Sequence, residues 1–140
     1  MAHIFKSTSV FIDNIDKLSQ KYPTLRKDLV DEFCSLTFNE IFSKKYVLKD
    51  SGVAKILKVR VANSEQNKGK SSGFRIILVV DKNKEQVTFL NIFTKTGTEG
   101  KDNIDREELK RCLSVFKSEN KAGSLIELDS NKSLNVKVSI

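Results

Sequence analysis

The chain has 140 residues, 39% of them hydrophobic, which suits one domain with its own core. Twenty-five Lys and Arg against 18 Asp and Glu leave a formal charge of +7, so polyanions are the partners that electrostatics favours. The cysteines, Cys34 and Cys112, have no CxxC spacing and no neighbouring histidine, and His3 is the one histidine. Those counts argue against a zinc site, a disulfide framework and a paired-histidine acid–base centre.

The amino terminus, "MAHIFKSTSVFIDNIDK", carries polar residues where a signal peptide needs an apolar run. No apolar stretch approaches the roughly 20 residues of a membrane span. The expectation is a cytoplasmic protein with no membrane contact. A short strand is expected at residues 3–6, and Phe11, Ile15 and Leu18 then recur on one face of a helix that Pro23 ends. Thr24 can cap a second helix, with a stripe of Leu25, Leu29, Phe33 and Leu36 and with Asp28, Asp31 and Glu32 on its wet side. The two form a hairpin joined at "KYPT".

Three strands follow: "VAKILKVRVA" at 53–62, the almost continuously apolar "GFRIILVVD", and "EQVTFLNIFTK" after the tight connection "DKNKE". They read as antiparallel, with the middle one buried on both faces. Between the first two lies a basic, glycine-containing loop, "NSEQNKGKSSG". A second polar loop, "TGTEGKDN", leads to a last helix, with Asp105 and Glu108 spaced as a capping box, Ile104 stapling Leu109, and Leu109, Leu113 and Phe116 facing the sheet. In the tail, Leu134, Val136, Val138 and Ile140 alternate with polar residues as a short strand that would extend the sheet, cover an edge or await a partner. The predicted class is α+β: an N-terminal helical hairpin, an antiparallel twisted sheet of about four strands, and a C-terminal helix packed on the sheet. The domain is taken as 1–118, with 119–140 as an extension.

The stretch "GTEGKDN" lacks the frame of a phosphate-binding P-loop, and no cluster of His, Cys, Asp or Glu has metal-ligand spacing, so no metal and no cofactor are expected. The cations stand out instead. Lys55, Lys58 and Arg60 lie in the first long strand, Lys68 and Lys70 in the loop, Arg75 in the second strand and Lys95 at the end of the third. Period two puts Lys58 and Arg60 on one face, and hairpin pairing brings Arg75 near them. Arg75, between Phe74 and "IILVV", is expected at the wet mouth of the core, its fork open to a phosphate and its stem packed.

The order of two helices, "KVRV", a Gly/Lys/Ser loop, "GFRIILVVD", "LNIFTK" and "DREELKRCL" resembles the RelE superfamily of toxins from bacterial type II toxin–antitoxin pairs. The HigB-like branch is the most similar, with a comparable "GKSGG-x-R" stretch before its central strand. The resemblance covers residues 53–116, and the helical hairpin by pattern. It implies a RelE-like fold and a ribosome-dependent, metal-independent endoribonuclease that cleaves mRNA in the ribosomal A site. It also implies silencing by a cognate antitoxin from a neighbouring gene. By matching positions it makes Arg60, Arg75 and Lys95 catalytic and Lys55, Lys58, Lys68 and Lys70 RNA-binding. Best-known RelE toxins have a tyrosine after the third strand; here Tyr22 and Tyr46 both fall in the helical region. The implied reaction is attack of the RNA 2′-hydroxyl on the adjacent phosphate, with Arg75 clamping its oxygens, Arg60 positioning it and Lys95 donating to the leaving oxygen. The alternative is a non-catalytic RNA- or ribosome-binding module that uses the same basic strands.

Overall fold

The structure is a computed structural model and describes residues 3–64, 73–94, 105–129 and 134–136. Its class is α+β. Among the described residues the chain runs β1 (Ile4–Ser7), α1 (Ser9–Lys21), α2 (Leu25–Phe33), α3 (Phe38–Phe42), β2 (Val47–Asp50), β3 (Ala54–Val61), β4 (Phe74–Asp81), β5 (Gln86–Thr94), α4 (Arg106–Ala122) and β6 (Ile126–Leu128). The strands form a single sheet in the order β2-β3-β4-β5-β1-β6.

The sheet therefore has six strands where about four were expected, and it is mixed rather than antiparallel. β1 runs parallel to β5, in the register Ile4 to Gln86 through Ser7 to Phe89. Residues 8–85 form the connection between the two, long enough to return the chain in the same direction. The tail extends the sheet with Ile126–Leu128, antiparallel to β1. The alternating residues further on contribute only a bridge from Val136 to Leu128 and the buried side chain of Leu134; Val138 and Ile140 lie outside the described residues.

The middle strand behaves as its apolar run demands. β4 pairs with β3 and β5 along its length, and Phe74 to Val80 are all buried. Its alternate residues serve two cores. Phe74, Ile76, Leu78 and Val80 join Val59 and Phe89 with residues of α1, α2 and α3, while Ile77 and Val79 join Ile56, Leu90, Phe93 and Cys112 of α4. The helices thus cover opposite faces of the sheet. Gly73 is fixed by close approach: an added Cβ would lie 2.1 Å from the Val61 carbonyl oxygen, so β3 and β4 meet here only through a residue without a side chain.

The helix ends follow their residue types, with two exceptions. Asp105 accepts from the Glu108 backbone N–H, and Gly123 in the left-handed region (φ 69°) closes α4. Glu108 does not complete the expected box with its side chain; it accepts from Asn91 of β5 at 3.2 Å. Thr24 makes no side-chain cap to the backbone, its hydroxyl lying 3.5 Å from Asp28 Oδ2. The predicted staple residue Ile104 lies outside the described residues. Asp28 and Glu32 are buried, contrary to their expected place on the wet face of α2. Each is compensated: the Ser64 hydroxyl donates to Asp28 at 2.6 Å, and Lys44 pairs with Glu32 at 2.9 Å.

A candidate RNA-binding cleft

Tyr46 begins the site, and the sequence pattern misplaced it. It stands directly before the edge strand β2, and its carbonyl accepts from the Lys58 backbone N–H at 2.9 Å, which seats it opposite Lys58 of β3. Arg60 is two residues further along the same face. Its guanidinium carbon lies 4.6 Å from the Tyr46 ring centroid, and Lys58 Nζ lies at 5.6 Å. Lys58 is buried, Arg60 is partly open, and Tyr46 is 44% exposed.

A cleft of about 520 Å³ opens beside this group. Lys44, Lys45, Lys58 and Arg60 line it, against the two carboxylates Glu32 and Glu40. One of those is already neutralised by the Glu32–Lys44 pair, which leaves the cleft net positive. Glu40 closes the capping box of α3, and hydrogen bonds from the Thr37 backbone and hydroxyl hold its carboxyl below the usual carboxylate range. It therefore stays ionised. Arg60 Nε is buried and makes no hydrogen bond among the described residues.

Arg75 is where register predicts but not where exposure does. It is the direct cross-strand partner of Arg60 and of Phe93, so the two arginines share one face. It is also 0% exposed, with Nη1 donating to the Phe74 carbonyl at 3.3 Å, which corrects the expectation of a fork open to solvent. The reason is topological. A second position in a strand is a rim only when the strand lies at an edge; here Phe74 is flanked by Val61 on one side and Thr94 on the other, so Arg75 lies inside.

Lys55 also leaves the group. Its ammonium donates to the Phe42 carbonyl at 3.1 Å and sits 4.1 Å from the Phe42 ring centroid, so it caps the end of α3 on the opposite face from Arg60. Lys58, Arg60 and Arg75 are thus brought together, with Lys58 and Arg60 lining the cleft and Arg75 behind them. Lys68, Lys70 and Lys95 lie outside the described residues. Among the described residues no three His, Cys, Asp or Glu side chains gather as a metal site, and no helix is long and apolar enough to cross a membrane.

Tyr46 is the residue that sequence reasoning missed. The signal was present: "KKYVLK" places an aromatic among cations, a combination suited to nucleic acid, but it precedes a strand with no burial pattern. No protein-family model matches this chain, and no curated protein is significantly similar to it in sequence.

Proposed function

We propose that this chain is a RelE-like toxin: an endoribonuclease that cleaves mRNA on the ribosome without a metal and is silenced by an antitoxin from a neighbouring gene. The observation that carries the RNA part of this reading is the pairing of Arg60 and Lys58 at the wall of a net-positive cleft large enough to take a nucleotide. The catalytic and antitoxin parts rest on the resemblance of residues 53–116.

In this reading Arg60 meets the phosphate. Its planar fork suits two phosphoryl oxygens. Lys58 adds charge beside it. The 2′-hydroxyl loses its proton to water as its oxygen attacks the adjacent phosphorus in line, the P–O5′ bond breaks, and a 2′,3′-cyclic phosphate remains. Lys95 supplies the proton to the leaving oxygen. Arg75, buried behind Arg60, is a positioning residue: its like charge one strand away favours an Arg60 side chain directed outward.

The experiment is cleavage of a defined mRNA in programmed ribosomes, with and without a single 2′-deoxynucleotide at the cut position. Cleavage that ends in a cyclic phosphate and vanishes at the deoxy position is expected; cleavage that persists there would overturn the mechanism. The burial of Arg75, one of the three residues assigned to catalysis, favours a second reading, an RNA-binding module that cuts nothing. Tight binding without any cleavage on or off the ribosome would establish that reading.

A further inference from the structure

We infer that Tyr46 is a stacking platform for an unpaired nucleobase, set beside the phosphate held by Arg60 and Lys58; this rests on the RNA reading above. The geometry has three parts. The residue is 44% exposed, an unusual state for an aromatic in a chain that buries so many others. It is nonetheless held in place. Its carbonyl is bonded to the Lys58 N–H, and both cations reach the ring from β3, at 4.6 and 5.6 Å. A ring with its backbone paired and cations on its β3 side loses little freedom on binding, which is what a stacking surface requires.

The third part is the distribution of charge in the cleft. A phosphate is drawn to Arg60 and Lys58 and repelled by Glu40, a carboxylate lining the same cleft. The neutral, planar part of a nucleotide is then the part that meets the tyrosine. Stacking reads no Watson–Crick edge in itself, so the ring would accept any of the four bases, favouring those that stack strongly. An unpaired strand is required, because a base within a duplex has no free face.

The chain has no tryptophan and two tyrosines, and the other, Tyr22, is 5% exposed and packed edge-on against Phe74. In a Tyr22→Phe background the tyrosine emission therefore comes from Tyr46 alone. The test titrates this protein with two probes of about eight nucleotides, an all-2′-O-methyl single strand that cannot be cleaved and an abasic strand of the same length. Quenching by the base-bearing strand but not by the abasic one is expected. In separate binding measurements with Tyr22 intact, Tyr46→Leu should weaken the base-bearing strand roughly 5- to 100-fold and leave the abasic strand unaffected, while Tyr46→Phe should retain affinity.

Equal quenching by both strands, or equal affinity of Tyr46→Leu and parent for the base-bearing strand, would overturn the stacking role while leaving the RNA reading intact. Failure of the parent protein to bind either strand, or programmed ribosomes, would overturn both.

Discussion

Arg60 and Arg75 are direct partners across the β3–β4 ladder, and burial divides their roles: Arg75 is 0% exposed, whereas Arg60 lines the cleft with its guanidinium 4.6 Å from the Tyr46 ring centroid. Two cations in register would repel if both were desolvated. One inside and one at the cleft wall is an arrangement the sheet can tolerate.

Arg75 is accordingly a residue of the core as much as of the site. Arg75→Ala should cost about 2–4 kcal/mol, because it empties a fully buried position and removes the bond to the Phe74 carbonyl. Arg75→Met, which refills the space without the charge, should recover at least half of that. Urea unfolding of the three proteins measures it; an alanine variant as stable as the parent would mean that the side chain packs against nothing of consequence.

Gly73 gives a second test, from backbone geometry. Gly73→Ala would force its Cβ against the Val61 carbonyl oxygen and within 2.9 Å of the Asn63 backbone nitrogen, so the β3 and β4 ends must separate. A loss of more than about 2 kcal/mol is expected, together with weaker amide protection at Val61 and Phe74. Unchanged hydrogen exchange at those amides would contradict the close approach.

His3 makes stability depend on pH. Its ring packs on Phe5 at 4.8 Å between centroids, and burial lowers its pKa, an effect partly opposed by Glu85. The folded chain thus holds the imidazole neutral more strongly than the unfolded chain does. The contribution is fully present above the ordinary value of about 6.5 and is lost as pH falls through the lower folded value. With a single histidine in the chain, one proton-resonance titration reads the folded pKa directly. His3→Phe should flatten the pH dependence of unfolding in that window, and a folded pKa above 6.5 would reverse the sign and refute the argument.

How much of this was legible in the sequence depends on burial. β4 is almost continuously apolar and lies between two strands, so its position and the approach of Arg75 to Lys58 and Arg60 could be read from pattern, while the direct Arg60–Arg75 pairing could not. β2 could not: all four of its residues are exposed at the sheet edge, and neither face leaves a periodic trace. The short α3 is five residues, too few for a stripe, and the error at Tyr46 follows from missing both. Asp28 and Glu32 were misplaced for a different reason. A helical stripe assumes that acids face water, whereas here Ser64 and Lys44 come from elsewhere in the chain to pair with them. The parallel pairing of β1 with β5 joins segments some 80 residues apart, a contact that no local window contains.

The central claim is that Arg60, and not Arg75, meets the RNA phosphate. The measurement is the salt dependence of binding to a non-cleavable single-stranded RNA analogue for the parent, Arg60→Ala and Arg75→Met. Arg60→Ala should weaken binding and lower the slope of log affinity against log salt by about one phosphate contact, roughly 0.7 for a single strand, while Arg75→Met keeps the parental slope. A reduced slope in Arg75→Met with an unchanged slope in Arg60→Ala would place the phosphate on the buried arginine and contradict the account.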